Sequence, residues 1–451
     1  MCAVLDMICR AVWVWEFFRF LLRCAFMTVA DYYVMYTHTG RVWLEKRHQA
    51  PSLRRGDLVM QLAASSPYHS SANEKTIFLQ LNHPFIDRRL WSGLNEAGAG
   101  PSAIVTGVSH GGIGFYTALN LLLSGVNVHG VARNGRQAER ARYLLASAVD
   151  RQVMLHKEWS GRVGRLVVHT CDMSDTAAVY DFSNAVAADP ALRIIICNAG
   201  SMCTPPRLSQ QRLEEQFATH HVGHSLLMLR LLQSRLQSSR SQSMAVASLP
   251  PWRIVVLTSA AAATANPTAA STFHEWDSEQ ELALHFSRFN GYGNAKMSAL
   301  LFAFSLARFV ERQRILAATC TVNVVHPGPI RSRIIPNSQL PLQWLLDGEV
   351  AALFRMTPVI ASLYVVDLAL SRRHERTNGH FFRMGQDQTI YYGNILQDPR
   401  QRTGFKNSTL FPGIPGPAVS LSTAKQEWMW AATIDYFAAK ELIDARLFPL
   451  L

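Results

Sequence analysis

Apolar and polar positions alternate regularly from residue 101 onward. Short runs rich in Val and Ile predict buried strands, and longer segments with apolar residues three and four apart predict helices. The predicted strands are 103–105, 126–131, 165–170, 193–197, 254–257, 321–325 and 379–383. The predicted helices are 116–123, 137–148, 176–188, 213–236, 292–312, 358–370 and 423–445. Strands that alternate with helices predict an α/β fold with a doubly wound parallel sheet.

Three regions fall outside this alternation. Residues 1–36 are hydrophobic, but charges interrupt them, so no stretch of about 20 uncharged residues is available to span a membrane. We expect an amphipathic helix lying on a membrane surface. A helix that covers the protein's own core is the alternative, and a cleaved signal peptide is less favoured. Residues 37–100 predict an irregular lead-in with one strand at 76–81, and 396–451 a C-terminal tail with a helix, so the domain spans 101–395.

Composition narrows the range of partners. Hydrophobic residues make up 49% of the 451 residues, charged residues 17%, and the formal net charge is +12. The charge is compatible with nucleic acid, anionic lipid or a phosphorylated cofactor. No aromatic-basic RNA motif or zinc-finger spacing occurs in the sequence, so we expect no nucleic-acid partner. The seven cysteines have neither metal-binding spacing nor a disulfide framework, which predicts a reducing compartment.

A glycine-rich turn joins the first predicted strand to the helix that follows it. The turn reads Thr106-Gly107-Val108-Ser109-His110-Gly111-Gly112-Ile113-Gly114. Glycines let the backbone approach a pyrophosphate closely, and the free N–H groups at a helix start stabilise its negative charge. Strand, glycine turn and helix in this order predict a Rossmann-type dinucleotide-binding unit. A glycine turn that binds no nucleotide is the alternative.

Further motifs follow the later strands in a fixed order. They are Asn198-Ala199-Gly200, Ser259, Tyr292-Gly293-Asn294-Ala295-Lys296 and His326-Pro327-Gly328. With the glycine turn, they resemble the short-chain dehydrogenase/reductase superfamily over residues 100–395. Similarity to the retinol-dehydrogenase-like, lipid-alcohol members rests on Arg133-Asn134, Asp172-Met173-Ser174, His326-Pro327-Gly328 and Thr357-Pro358.

The resemblance implies a proton-transfer site. Tyr292 would exchange a proton with the substrate oxygen, and Lys296, on the same helical face, would lower the tyrosine pKa. Tyrosine ordinarily has a pKa near 10, so action at pH 7 asks for roughly 4 kcal/mol of preference for the phenolate. Ser259 would polarise the substrate oxygen. His220 stands where relatives carry an asparagine that bends its helix and holds a water toward the lysine.

The resemblance also implies the cofactor contacts. NAD-binding relatives carry an acid after the second strand, whereas this chain has Arg133-Asn134 there, which favours NADP(H) over NAD(H). Asp172 resembles the residue that bonds the adenine amine, and Ser332 takes the place of a threonine near the nicotinamide. The full set is Gly107, Ser109, Gly112, Ile113, Gly114, Arg133, Asn134, Asp172, Asn198, Ala199, Gly200, Tyr292, Lys296, Pro327, Gly328 and Ser332.

Two positions depart from the family pattern. The glycine turn has one residue more than the pattern between Gly107 and Gly112, which a small bulge can absorb. His220 replaces the helix asparagine, and its size and titration differ. We expect no metal at His220, His221 and His224, because no acidic or cysteine ligand lies near them in sequence.

These features predict an NADP(H)-dependent oxidoreductase that interconverts a hydrophobic alcohol and its carbonyl, of the retinoid, steroid or polyprenol class. The apolar segment 340–353 takes the place of a substrate lid. We expect the protein at a membrane surface on its reducing, cytosolic face, at the endoplasmic reticulum or a lipid droplet. The long helix 213–236 allows a homodimer. Two alternatives stay open: a binding or scaffold protein without turnover, and a soluble reductase of small carbonyls.

Overall fold

A computed structural model describes residues 87–91, 94, 100–155, 157, 161–241, 249–265, 267–328, 330, 357–387 and 422–451. Six sequence predictions lie wholly or partly outside these residues: the amphipathic segment 1–36, the lead-in as far as residue 86, its strand 76–81, Ser332, the lid segment 340–353 and the tail as far as residue 421. None of the helices in the described ranges is both long enough and apolar enough to cross a bilayer.

Eight strands form one sheet in the order β3-β2-β1-β4-β5-β6-β7-β8. They are β1 Ser102–Thr106, β2 Asn127–Ala132, β3 Leu166–Thr170, β4 Leu192–Cys197, β5 Trp252–Leu257, β6 Cys320–His326, β7 Phe381–Arg383 and β8 Gln386–Asp387. Every neighbouring pair is parallel except β7 and the two-residue β8. Strand order reverses between β1 and β4, as in a doubly wound sheet, so the predicted fold class is confirmed.

Helices cover both faces of the sheet. They are α1 Ile113–Leu123, α2 Gly135–Leu155, α3 Thr176–Ala187, α4 His224–Ser241, α5 Glu279–His285, α6 Arg288–Arg312, α7 Arg314–Thr319, α8 Pro358–Leu370 and α9 Thr423–Ala439. On one face α1, α2 and α8 share a core with β1 and β2, and on the other α3, α4, α6 and α9 share a second core. Since parallel sheets are buried on both faces, β1, β4 and β5 are buried along their whole length, without the alternation of a half-exposed strand.

The predicted helix 213–236 differs from expectation in one respect. A short turn at Glu215–Phe217 passes into a π-helical turn, Ala218–Gly223, before α4 begins at His224. Gly223 lies where a β-carbon would come 1.9 Å from the carbonyl oxygen of Met173, so the backbone approaches the loop after β3 very closely. The π turn therefore places His220 and His221 in a widened part of the helix, an arrangement common at functional sites.

The C-terminal helix α9 is part of the second core. Trp430 is fully buried and stacks on Phe302 and Phe309 of α6, with ring centroids 5.5 and 5.3 Å apart. The helix ends earlier than the predicted 445, because Glu441 adopts a positive φ of 55° and the Leu442 N–H donates to the Phe437 carbonyl. This is the hydrogen bond of a left-handed helix end. Helix α9 thus packs against the helix that carries Tyr292 and Lys296.

A buried ion pair fixes where the chain enters the sheet. Asp87 is 2% exposed, and its carboxylate lies 2.5 Å from the Arg253 guanidinium near the start of β5. Its backbone N–H donates to the Leu370 carbonyl, 2.8 Å away, at the end of α8. Arg89 completes the cluster on the solvent side. The entry point therefore lies at the amino-terminal edge of the strands, opposite the edge at which the predicted site residues gather.

Candidate active site

The ends of β1 and β4 are joined by one threonine and one asparagine. Thr106 Oγ1 accepts hydrogen bonds from the backbone N–H groups of Asn198 and Ala199, each at 2.9 Å. In return Asn198 Nδ2 donates to the carbonyl oxygens of Thr106 at 2.7 Å and Gly107 at 3.1 Å. These bonds hold the glycine turn against the Asn198-Ala199-Gly200 segment, so the two motifs lie together.

Two glycines of the turn are required by close packing against the Asn198-Ala199-Gly200 segment. A β-carbon on Gly114 would lie 2.4 Å from Asn198 Nδ2, and one on Gly107 would lie 2.7 Å from the Ala199 backbone. The extra residue is absorbed in a turn closed by the Gly112 N–H, which donates to the Ser109 carbonyl at 3.1 Å, with Gly111 at φ +77°. Open space surrounds Gly111, and α1 begins just beyond with Ile113. The loop and helix start therefore fit a phosphate-bearing dinucleotide.

Arg133 follows β2 directly, on the other side of β1 from β4. Its Nε donates to Asp172 at 2.8 Å, and its guanidinium also pairs with Glu215. Burial disfavours the charge, but Glu215 and Asp172 more than offset this, and the pKa of Arg133 is raised. The neighbouring Asn134 accepts a hydrogen bond from the Gln137 N–H and starts α2. Sequence reasoning missed Glu215, which lies 82 residues from Arg133 along the chain.

Lys296 is the buried charge of the site. Its amine donates to the Leu257 carbonyl at 2.9 Å, and the residue is 5% exposed. Burial lowers the pKa of Lys296 to about 7. Because Leu257 ends β5 two residues before Ser259, this bond brings α6 and the Ser259 segment to the same edge. Ser259 itself caps the 3-10 helix Ala260–Thr264, where it accepts from the Ala261 N–H at 3.3 Å.

Tyr292 and His220 contact each other. Tyr292 is 3% exposed, and its ring meets the His220 ring edge to face with centroids 5.5 Å apart. Lys296 lies one helical turn from Tyr292 on α6, so Tyr292, Lys296 and His220 lie together, and Lys296 links them to the carboxyl end of β5, which Ser259 follows. They approach the glycine turn through Asn198-Ala199-Gly200, since a β-carbon on Gly200 would strike the His220 ring.

The protonation state of His220 follows from its hydrogen bond. Nε2 lies 2.8 Å from the Ser201 carbonyl, which only accepts, so Nε2 carries the proton and Nδ1 is an acceptor. Burial, with Lys296 nearby, holds the pKa of His220 well below its ordinary value. Nδ1 is buried and lacks a hydrogen-bond partner within the described part of the chain. A neutral histidine thus presents one acceptor nitrogen inside the site.

The other two histidines of the π turn support the frame. His224 donates from Nδ1 to the His220 carbonyl at 3.2 Å, and its Nε2 lies 2.9 Å from Thr106 Oγ1. His221 Nε2 lies 3.0 Å from Thr433 Oγ1 on α9. Burial is the main cause that lowers the pKa of His221 to about 3 and of His224 to about 4, so both are neutral. Sequence reasoning did not find Thr433, because nothing in a C-terminal helix marks a partner for His221.

The remaining predicted residues lie at the end of β6. Pro327 and Gly328 follow His326 directly, and Gly328 has φ +92°, a conformation that favours glycine. The Met384 N–H donates to the His326 carbonyl at 2.9 Å, which ties this segment to β7. Among the residues that the structure describes, no group of three or more His, Cys, Asp or Glu side chains is arranged to hold a metal ion.

No protein-family model matches this chain. It is 30% identical over 287 residues to retinol dehydrogenase 14 of Homo sapiens, covering 63% of this chain and 78% of that protein. It is also 30% identical over 240 residues to short-chain dehydrogenase TIC 32 B, chloroplastic, of Brassica napus, covering 53% of this chain and 67% of that protein. A solved structure, the Pseudomonas aeruginosa RhlG/NADP active-site complex, is 20% identical with a TM-score of 0.44, covering 64% of this chain and 96% of that one.

The buried Lys296 amine makes a testable contribution to stability. Its folded-state pKa, about 7, lies below the ordinary 10.5, so the unfolded chain binds more protons between these values and the parent gains stability as pH rises through them. We expect a gain of up to about 3 kcal/mol between about pH 7 and about pH 10 that Lys296→Met lacks. Denaturant unfolding at both pH values measures it, with Lys440→Met as a surface control. If the difference in unfolding free energy between the parent and Lys296→Met were the same at both pH values, the burial of this amine would be contradicted.

Proposed function

The chain belongs to the short-chain dehydrogenase/reductase family of oxidoreductases, which act on CH–OH groups, and we propose that it interconverts a hydrophobic alcohol and its carbonyl with NADP(H). The convergence of Tyr292, Lys296 and His220 at the end of β5 carries this proposal. Burying an amine in this way costs stability, so a purely structural origin of the cluster is disfavoured.

In the reductive direction the cofactor would supply the hydride and the protein would supply the proton. Bound NADPH would supply the hydride to the carbonyl carbon. Tyr292 would give its hydroxyl proton to the carbonyl oxygen, leaving an alcohol and a tyrosinate. Ser259 would donate a hydrogen bond to the same oxygen. In the oxidative direction each transfer reverses, and the tyrosinate takes the proton from the alcohol.

Lys296 and His220 would serve proton exchange with solvent after each turnover. A Lys296 pKa of about 7 means that the amine is charged and neutral in comparable amounts near neutral pH, so it exchanges a proton readily. One of its N–H groups is committed to the Leu257 carbonyl, and the others remain for tyrosinate and cofactor ribose. His220 Nδ1 offers an acceptor to a water that would connect the amine to solvent. In this way histidine would take over the role of the asparagine in relatives.

Support for NADP(H) comes from the charge beside the adenosine end. Arg133 follows β2 without a neighbouring acid in sequence, and Arg136 is exposed on the first turn of α2. An arginine here accommodates a 2′-phosphate, whereas an acid would accept from ribose hydroxyls. The carboxylates of Asp172 and Glu215 pair with Arg133 and thereby weaken the preference for NADP(H).

A hydrophobic substrate is supported by the chain's apolar composition and by the name of the relative retinol dehydrogenase 14.

Binding to a membrane surface is supported by one face of α2. Arg140, Tyr143, Arg151 and Met154 recur at helical spacing on that face, and all four are exposed. Tyr143 is 69% and Met154 76% exposed, so large apolar groups and basic groups alternate there. Such a face suits anionic headgroups. The endoplasmic reticulum and the lipid droplet are the membranes we propose.

A homodimer stays a prediction. Helix α9 covers one side of α6, and the Leu442 carbonyl accepts from Arg230 on α4. The Asp444 N–H donates to Gln233 on the same helix at 2.8 Å. A second subunit would therefore have to use the sides of α4 and α6 that the C-terminal residues leave uncovered.

The first experiment separates an enzyme from a scaffold. Tyr292→Phe removes only a hydroxyl, so we expect intact folding and NADPH binding but turnover lower by about 10²–10⁴. Turnover is measured with NADP⁺ and a panel of retinoid, steroid and polyprenol alcohols, with Tyr180→Phe on α3, outside the site and the α2 face, as the matched control. Absence of turnover in the parent across the panel would favour the scaffold. Turnover confined to short-chain carbonyls would favour a small-carbonyl reductase.

The second experiment tests the membrane face. The double substitution Arg140→Gln with Arg151→Gln should weaken binding to phosphatidylserine-containing vesicles by up to about 30-fold, at about 1 kcal/mol for each arginine. Co-sedimentation measures it, and Arg312→Gln with Arg314→Gln removes the same charge elsewhere. Equal losses for the two pairs would rule out a specific role for the α2 face. Deleting residues 1–36 separates the contribution of the amino-terminal segment.

A further inference from the structure

We propose that Glu215 is a specificity-determining residue: it competes with the cofactor's 2′-phosphate for Arg133 and so lets the site accept NAD(H) as well as NADP(H). This inference rests on the proposed function. It concerns a residue that sequence motifs do not mark and that belongs to the turn just before the π-helical segment.

The geometry places one guanidinium between two carboxylates. Arg133 donates from Nε to Asp172 at 2.8 Å and from Nη2 to Glu215. The Arg133 side chain is 48% exposed, whereas the Glu215 side chain is only 5% exposed. Glu215 is therefore a nearly buried carboxylate whose ion-pair partner reaches out toward solvent, at the end of β2 where a ribose would lie.

Glu215 relies on Arg133 to compensate its charge, whereas Asp172 has other hydrogen-bond donors. Asp172 also accepts hydrogen bonds from the N–H and hydroxyl of Ser174, at 2.9 and 2.7 Å. The second oxygen of Glu215, Oε2, is buried and has no partner among the residues described. If Arg133 turned to a phosphate, Glu215 would be left as a buried and uncompensated charge, which is strongly unfavourable.

The competition follows from the shape of the arginine. A guanidinium binds a phosphate best with two parallel N–H donors, and here Nε and Nη2 are both engaged by carboxylates. A 2′-phosphate must displace Glu215 or bind beside its negative charge, and either course costs affinity. A ribose 2′-hydroxyl meets no such cost, because it can donate to a carboxylate. Glu215 therefore reduces the difference in affinity between NADP(H) and NAD(H).

A charge-neutral isostere tests this assignment. Glu215→Gln keeps the size of the side chain and an oxygen that accepts from Arg133, but removes the charge. We expect the Kd ratio of NADH to NADPH to rise about tenfold, or about 1.4 kcal/mol, through tighter NADPH binding. Glu139→Gln on the exposed side of α2 is the control for a general change of net charge. Fluorescence titration with both cofactors measures the Kd values.

The same comparison with 2′,5′-ADP and 5′-AMP confines the readout to the adenosine end. A purely structural role would move both Kd values together, and an unchanged ratio in Glu215→Gln would overturn the proposal while leaving the function intact. If the parent bound neither cofactor, the proposed function would fail with it. Should Glu215→Gln not fold, Glu215→Asp, which withdraws the carboxylate from Arg133, should raise the ratio in the same direction. No rise in that variant would equally refute the role of Glu215.

Discussion

The burial of the Lys296 amine is the constraint on which the site depends. An ammonium group loses much of its hydration in this position, and its pKa falls to about 7. The single hydrogen bond to the Leu257 carbonyl ties α6 to the end of β5 and thereby fixes Tyr292 next to His220. A second positive charge beside the amine would be unfavourable, and the three histidines of the π turn are held neutral mainly by burial.

The second support of the site comes from the end of the chain. Trp430 and Thr433 lie on one helix and contact α6 and the π turn respectively, so α9 packs against both segments that carry the candidate site residues. Ser305 strengthens the contact by donating to the Gln426 carbonyl at 2.8 Å. At the opposite edge Asp87 and Arg253 pin the amino-terminal entry. The core is therefore stabilised by helix α9 and by the Asp87 ion pair, and both lie outside the family motifs.

Much of the fold was predictable because its signals are local. Continuous apolar runs mark buried parallel strands, and the glycine turn, Tyr292 and Lys296 follow fixed spacings within one element or between neighbouring ones. The π turn was not predictable, since it depends on the close approach of Gly223 to the Met173 carbonyl. Glu215 and Thr433 were missed for the same reason: their partners, Arg133 and His221, lie 82 and 212 residues away. Contacts made only by tertiary packing leave no periodic signal.

We propose that NADPH bound at this edge of the sheet would supply a hydride to a hydrophobic carbonyl while Tyr292 supplies the proton. Deuterium tracing tests it most directly. Parent protein is incubated with NADPH deuterated at C4 on either face and with a retinoid, steroid or polyprenyl carbonyl, and the alcohol is analysed by mass spectrometry. The account predicts one deuterium on the carbinol carbon from one face of the cofactor, and loss of the labelled product in Tyr292→Phe. Labelled product from Tyr292→Phe at the parent's rate, or none from the parent with any of these carbonyls, would contradict it.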